Sequence, residues 1–297
     1  MTGKIMEAIK LGIERPEDLE ILNEIEEKVI KKIDLGFDPH VLEILDEEEI
    51  TRTQIEPLKD LLSKGVVTRL FGLGNSIYYG RMRAGKFTNF SEIILRLGLG
   101  PSKIYILSLA LFFLKPGKEF TDLAARSFLI SFLGKMLGRE MGFGEEDLKK
   151  VEMGGLFLKI GKVFMLLYEH AEKKKLDDDF ISRYYPFVGL RVVKLFRLPE
   201  FLNDVISFSL FRFEENSFSI SSIIDLAHSA VDKSFKKFGK FVIQSPMPDG
   251  DGVLATSPGF ILSNQLDAVG LGSFLEVIPD LSPQQRLHSL RKAQSSK

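Results

Sequence analysis

The chain has 297 residues, 44% of them hydrophobic and 27% charged, which fits a folded protein with one large domain or two small ones. Its formal net charge of -1 provides no general attraction to nucleic acid or to an anionic membrane. Because the sequence contains no cysteine, disulfides, thiolate nucleophiles and zinc ribbons are excluded, and the composition suits a reducing cytoplasm.

The apolar runs are too short for membrane targeting or insertion. The N-terminus has no apolar run long enough for a signal peptide. The longest run, residues 104–114, is well short of the roughly 20 residues that cross a bilayer. We therefore expect a cytoplasmic protein without a membrane contact.

Hydrophobic residues recur at three- and four-residue steps through the first part of the chain, which predicts amphipathic helices. The next segment, which starts near Pro101 and runs to residue 114, is apolar nearly all round and is expected to be a central helix. The run Lys115-Pro116-Gly117-Lys118 then breaks the chain. The helices predicted before this central one cover residues 16–33, 38–45, 51–62 and 66–73, followed by one that ends at Gly98.

The second part of the chain also has helical periodicity. Gly154 and Gly155 are expected to let two helices approach closely. No alternating strand pattern of useful length occurs before Lys240, so an all-α fold is favoured. Beyond Ser245 the chain is rich in Pro and Gly; residues 260–278 could hold one or two short elements, and residues 282–297 are expected to be frayed. The predicted helices cover residues 121–141, 145–168, 186–196, 201–213 and 220–241.

A search for the usual catalytic motifs finds none. The chain has no G-x-G-x-x-G, no phosphate-binding P-loop and no G-x-S-x-G nucleophile elbow. A catalytic metal needs several imidazoles and carboxylates around one cation, and four scattered histidines cannot easily supply them. His170 is expected to cap a helix or face solvent, His228 to be a buried imidazole, and His40 and His288 to be peripheral. We predict no catalytic residue, no cofactor and no metal ligand.

One cluster of basic residues could suggest a nucleic-acid site. A solvated helix end is the favoured explanation, because cations suit a helix C-terminus and the chain as a whole is not basic. We therefore do not expect a nucleic-acid partner. The cluster consists of Lys233, Lys236, Lys237 and Lys240.

Four segments, in order, carry a family resemblance. T-R-L-F-G-L-G-N-S-I-Y-Y-G at residues 68–80 is followed by F-S-E-I-I-L-R-L-G at residues 90–98. Further on come G-G-L-F-L-K-I-G-K-V at residues 154–163 and L-F-R-L-P-E-F-L-N-D-V-I at residues 195–206. Together they resemble the signature of the HDOD family, output-type domains related to HD phosphohydrolases, over about residues 35–235.

The resemblance implies a structural role for one part of the signature. Asn75, Ser76, Tyr79 and Gly80 fall on matching positions and are expected to fix a hinge rather than touch a substrate. The remaining matches are Arg69, Leu70, Ser91, Ile94, Leu97 and Gly98.

The chain departs from the HD enzymes where their metal ligands lie. Leu158-Lys159 stands in place of the His-Asp pair, and Arg126 in place of an earlier histidine. A leucine and a cation cannot ligate a divalent metal, so metal-dependent phosphohydrolysis is not expected. Of the other two ligand positions, one falls near Ser209 and Leu210 and one near Ala227 or His228.

The resemblance implies an all-α fold in which an N-terminal helical bundle subdomain packs on a degenerate HD-like helical subdomain. We expect an N-terminal extension over residues 1–36, the two subdomains over residues 37–117 and 118–245, and a loop-rich extension over residues 246–297.

Three functions remain to be weighed. The first is a non-catalytic module of bacterial signal transduction that acts on other signalling proteins. The second is a nucleotide or cyclic-dinucleotide sensor, in which Arg126, Lys159 and His228 would contact an anion in the former metal cleft. The favoured interpretation of Arg126 and Lys159, however, is that both simply point to solvent. The third, a residual metal-dependent phosphohydrolase, is opposed by the missing ligands.

Overall fold

The protein is built mainly of α-helices, as the sequence predicts. A computed structural model describes residues 15–38, 40–47, 49–76, 86–208, 219–246 and 257–280. The predictions for Tyr79, Gly80, Ser209, Leu210 and residues 282–297 lie outside these residues. The N-terminal helices are α1 (Pro16–Lys28), α2 (His40–Ile44), α3 (Arg52–Ile55), α4 (Leu58–Leu61), α5 (Lys64–Gly74), α6 (Phe90–Leu97) and α7 (Leu99–Phe112).

The C-terminal half adds further helices and a small parallel sheet. Its helices are α8 (Lys118–Glu140), α9 (Glu145–Phe157), α10 (Ile160–Glu172), α11 (Asp178–Leu195), α12 (Phe201–Phe208), α13 (Ile220–Phe238) and α14 (Pro258–Ala268). In the described part of the chain the strands are β1 (Phe241–Pro246) and β2 (Leu275–Asp280).

Several predicted helix boundaries are wrong. The helix expected over residues 51–62 is two short helices, α3 and α4, with Pro57 between them. The helix expected over residues 145–168 is broken at Leu158 and Lys159 into α9 and α10. The helix expected to start at Pro186 starts at Asp178 and contains the proline, because burial of the surrounding aromatic face outweighs the roughly 3 kcal/mol cost of an internal proline.

The two strands lie beyond the predicted end of the helical series. The helix expected to reach residue 241 ends at Phe238, because Gly239 adopts a left-handed conformation (φ 71°) that caps it. β1 then pairs in parallel with β2, Phe241 opposite Leu275 and Pro246 opposite Asp280. The elements foreseen for residues 260–278 are thus part of α14 and part of β2.

The C-terminal segment docks on α5, the helix that carries the family signature. The Arg69 Nε donates a hydrogen bond to the Val269 carbonyl oxygen at 3.1 Å, and its guanidinium lies 3.8 Å from the centre of the Phe113 ring. A Cβ at Gly72 would lie only 2.3 Å from the Ala268 carbonyl oxygen. The absence of a side chain at residue 72 therefore lets α14 lie directly on α5.

A buried polar cluster joins α7 to the C-terminal half. The Tyr105 hydroxyl donates to one Glu152 carboxylate oxygen at 2.5 Å, and the Lys135 Nζ donates to the other at 2.6 Å. Burial raises the pKa of Glu152 and lowers the pKa of Lys135 to about 7. All three side chains are at most 5% exposed. α7 itself is buried on all sides, as predicted.

No single described helix is long and apolar enough to cross a bilayer. α6 and α7 together reach the length and composition of a span, but they meet at a bend of 108°. Both helices contribute buried residues to the core.

Glycines allow several helices to touch backbone to backbone. The predicted role of Gly155 is confirmed, since a Cβ there would lie 2.8 Å from the Ser131 Cα atom. Gly161 is tighter still, because a Cβ would lie 1.8 Å from the Tyr185 carbonyl oxygen. This contact sets the distance between α10 and α11.

We predict that Gly161→Ala lowers the free energy of unfolding by about 2–3 kcal/mol, because the helices must separate to admit the methyl group. Urea denaturation followed by circular dichroism measures the change. Gly100→Ala is the matched control, since a Cβ there meets no atom within 4 Å. Equal stability of the two variants would contradict the close contact.

Candidate functional site

A cleft of about 500 Å³ opens between four helices of the C-terminal half, α8, α10, α11 and α13. Its polar lining includes Arg126 from α8, Lys162 from α10 and both Asp232 and Lys236 from α13, together with Lys159 just before α10. Its apolar lining includes Leu123, Leu166 and Ile181.

The break between α9 and α10 places Lys159 in this cleft. Leu158 and Lys159 interrupt the helical run, and the two side chains have different surroundings. Leu158 is 3% exposed and belongs to the hydrophobic core, whereas the Lys159 ammonium reaches a carboxylate that lines the cleft. The expectation that Lys159 points to solvent is therefore wrong, because its side chain is buried against this carboxylate. Gly161 follows and allows α10 to lie against α11, which closes one side of the cleft.

Asp232 is the centre of a charged cluster. Its Oδ1 accepts hydrogen bonds from the Lys159 Nζ at 2.7 Å and from the Arg126 Nη1 at 3.2 Å. Its Oδ2 lies 3.0 Å from the His228 Nε2. The Arg126 guanidinium also lies 4.4 Å from the centre of the Phe235 ring, which fixes its orientation. One carboxylate therefore connects α8, α10 and α13.

The electrostatics of the cluster follow from burial and pairing. Burial lowers the pKa of Lys159 to about 8, although the neighbouring Asp232 carboxylate opposes this shift. Burial alone would raise the pKa of Asp232, but the hydrogen bond from His228 and the charge of Lys159 together hold it far below its usual value. Asp232 is therefore ionised at neutral pH, and Lys159 is mainly protonated.

The predicted hinge is held by one asparagine. The Phe87 backbone N–H donates to the Asn75 Oδ1 at 2.8 Å, and the Asn75 Nδ2 donates to the Phe87 carbonyl oxygen at 3.0 Å. Asn75 thus joins the two ends of the connection from α5 to α6. Ser76 is 4% exposed, and its hydroxyl has no hydrogen-bond partner among the described residues.

The comparison with protein families decides the classification, because the HDOD domain model matches residues 38–207. The chain belongs to the HDOD family. No curated protein matches the sequence significantly.

Solved structures similar to this HDOD protein come from two bacteria. A candidate metal-dependent phosphohydrolase from Shewanella amazonensis SB2B shares 14% identity, with a TM-score of 0.56 over 96% of this chain and 94% of that one. An HDOD domain protein of unknown function from Geobacter sulfurreducens shares 17% identity, with a TM-score of 0.48 over 93% of this chain and 95% of that one. At 14% identity, the Shewanella structure establishes a shared HD-like fold.

The HDOD cleft brings together the three residues that the sequence singled out for an anion site. All three contact Asp232: Arg126, Lys159 and His228. Asp232 itself was not predicted from the sequence. A signal was available, because His228 and Asp232 are four residues apart and so share one face of a helix. The alternative position, Ala227, is fully buried in the core.

His40 and His170 lie apart from this cluster. The His40 Nδ1 is 3.1 Å from a Glu43 carboxylate oxygen, and both side chains are exposed. The His170 ring lies 5.4 Å from the Phe120 ring near the end of α10. His288 lies outside the described residues.

The residues of the cleft do not fit a divalent metal. Both oxygens of Asp232 are already engaged by cationic or imidazole groups, and the Lys159 ammonium repels a second cation. Across the described ranges, no three His, Asp or Glu side chains are grouped closely enough to hold a metal ion. The cluster can hold the helices together without one.

We predict that Asp232→Asn lowers the free energy of unfolding by about 2–3 kcal/mol, because it leaves the Lys159 ammonium buried without a counter-ion. Chemical denaturation at pH 7 measures the loss. Adding Lys159→Met to Asp232→Asn should restore part of the lost stability, because the lysine substitution removes the uncompensated charge. If the changes in the free energy of unfolding caused by the two single substitutions simply add in the double variant, direct coupling of the two groups is contradicted.

The stability difference between the native protein and Asp232→Asn should also change with pH in a defined direction. The folded-state pKa of Asp232 lies below its reference value of 3.8, so its stabilising effect is complete above that pH. The effect is lost as the pH falls below 3.8 towards the folded-state pKa. The stability difference between the native protein and Asp232→Asn should therefore shrink at pH 3.

We predict that Asn75→Ala destabilises the protein by about 1–2 kcal/mol, because it removes two hydrogen bonds and leaves the Phe87 amide and carbonyl without their partner. Ser76→Ala is the control and should be neutral, since the buried Ser76 hydroxyl has no partner among the described residues. Thermal unfolding and amide hydrogen exchange at Phe87 measure both. A larger effect at residue 76 than at residue 75 would refute this assignment.

Proposed function

We propose that this HDOD protein is a non-catalytic regulatory protein of bacterial signal transduction that acts through contacts with other signalling proteins. The observation that carries the proposal is the Lys159 ammonium, bonded to Asp232 at 2.7 Å. It stands where the sequence resemblance places the aspartate of the HD pair. A protein cation thus takes a position that in the enzymes belongs to a metal ligand.

Physical chemistry supports the proposal. A hydrolytic metal acts by lowering the pKa of a bound water and by stabilising charge on the phosphoryl oxygens. Lys159 can stabilise charge, but it offers no coordination site for a water nucleophile. Asp232 is kept ionised by three hydrogen-bond partners, so its lone pairs are directed at protein groups rather than at a water molecule. The cleft has the means to bind a ligand and lacks the means to activate water.

The packing of the molecule also favours a scaffold. The cluster around Asp232 ties together α8, α10 and α13, and the buried cluster around Glu152 ties α7 to α8 and α9. A domain held this firmly presents a fixed outer surface to a partner, which suits recognition by rigid-body contact. We therefore assign the contact with other signalling proteins to the outer surface of the molecule and not to the cleft.

The absence of catalysis is testable with the purified full chain. After incubation with Mn²⁺ and removal of excess ion, elemental analysis should find no stoichiometric metal. Assays with bis-p-nitrophenyl phosphate and with a cyclic dinucleotide in the presence of Mn²⁺ should show no turnover, with an active HD phosphohydrolase as the positive control. Bound metal at one ion per chain, or turnover abolished by a chelator, would overturn the proposal.

The contact function needs a separate experiment. The full chain, immobilised and exposed to a bacterial lysate, should retain signalling proteins, and purified candidates should then bind in solution. A chain carrying Lys159→Met and Asp232→Asn, selected for an intact fold, should retain the same proteins, because the cleft is not the contact surface. Loss of every partner in this variant would contradict the assignment of the surface.

A further inference from the structure

Two lysines of the cleft have no carboxylate partner in the part of the chain that the structure describes. Lys162 and Lys236 line the cleft, and neither forms an ion pair with a carboxylate among the described residues. Lys162 is half-buried, with its Nζ 4.6 Å from the centre of the Tyr185 ring. Lys236 is exposed and lies one turn beyond Asp232 on α13. Their positive charges are thus available to a ligand that enters the cleft.

The cations of the cleft repel one another. Burial lowers the pKa of Lys162, and the nearby charges of Arg126 and Lys236 lower it further, against the opposing effects of Asp232 and Asp178. Asp232 is already shared among three partners. An anion placed between Lys162 and Lys236 would relieve this repulsion.

The other acids that line the cleft are directed elsewhere. Asp122 lies 4.0 Å from Arg126, and Glu119 accepts a hydrogen bond from Lys175 at 3.3 Å. Asp178 lies in the first turn of α11 and forms no ion pair with Lys162. None of these carboxylates neutralises Lys162 or Lys236 directly.

The size and walls of the cleft define the rest of the ligand. A volume of about 500 Å³ is within the range of small-molecule sites, roughly 300–1,000 Å³. Leu123, Leu166 and Ile181 supply apolar surface in the same cleft. A bare inorganic anion would leave this surface uncovered, whereas an organic group attached to the anion would bury it.

We infer that the cleft binds a phosphate ester, with its phosphoryl group between Lys162 and Lys236 and its organic part against Leu123, Leu166 and Ile181. Ammonium groups make charge-assisted hydrogen bonds with phosphoryl oxygens. The inference rests on the proposed function in one respect, namely that the ester is bound and not hydrolysed.

A smaller pocket of about 250 Å³ adjoins the cleft. It shares Asp232 and Lys236 with the cleft and adds His228, Lys233 and the acidic Asp225. A ligand with two phosphoryl groups could therefore reach basic residues on both sides of Asp232. This geometry makes a cyclic dinucleotide a specific probe beside a nucleoside monophosphate.

Isothermal titration of the full chain with inorganic phosphate, adenosine monophosphate and a cyclic dinucleotide tests the inference. At least one ester should bind more tightly than phosphate alone, and its affinity should fall as the salt concentration rises. Lys162→Met and Lys236→Ala should each weaken binding about tenfold, the loss of one charge-assisted hydrogen bond. Lys237→Ala is the matched control and should bind as the native protein does, because it removes one charge from the same helix end outside the cleft.

The outcomes separate this inference from the proposed function. If no probe binds, or if Lys237→Ala weakens binding as much as Lys236→Ala, the site is refuted while the non-catalytic function stands. If phosphate binds as tightly as the esters, the assignment of an organic part is refuted. If an ester binds through Lys162 and Lys236 but is recovered hydrolysed, the site stands and the non-catalytic function fails. Recovery of the intact ester supports both.

Discussion

The bonds to the Asp232 carboxylate hold the C-terminal half of the molecule together. Lys159 and Arg126 come from different parts of the chain, and each would be costly to place near the core without a counter-ion. Asp232 compensates both, and His228 fixes the orientation of its second oxygen. Through these contacts α13 is joined to α8 and to the break between α9 and α10, which lie in the walls of the cleft. The strength of this arrangement comes from the lower dielectric around these partly buried charges, which the same groups would lack at an exposed surface.

A second polar cluster, centred on Glu152, has a different structural role. Glu152 is fully enclosed, and its partners Tyr105 and Lys135 come from helices on either side of the junction between the two halves. A buried network of this kind contributes little net stability compared with apolar packing, but it penalises any other alignment of the helices, since a misaligned partner would leave a buried charge unpaired. The junction is therefore specified by polar geometry, while the hydrophobic contacts around it supply most of the stabilising free energy. The Glu152 cluster thus aligns the two halves of the molecule, and the Asp232 cluster lies in the walls of the cleft.

Much of the fold could be predicted from the sequence, because helical periodicity is a strong local signal. The buried α7 and the close approach at Gly155 were both foreseen. The start of α11 was missed because tertiary packing overrode the proline at residue 186, and the parallel pairing of β1 with β2 joins residues too far apart for a local pattern to reveal. In the site, Arg126, Lys159 and His228 were identified through family resemblance, whereas Asp232 was not, because an aspartate beside several lysines on a helix looks like ordinary surface.

The docking of α14 on α5 extends the packed structure beyond the residues that match the family. The family match ends at residue 207, yet Arg69 and Gly72, which lie inside the match, complete their contacts with Val269 and Ala268, some sixty residues beyond it. A fragment cut at the family boundary would expose the bare backbone of α5 to water and deprive the Arg69 Nε of its acceptor. It would also lose α13, and with it Asp232. The family match and the packed structure of this protein are therefore different lengths of chain, and any dissection of its function has to follow the second.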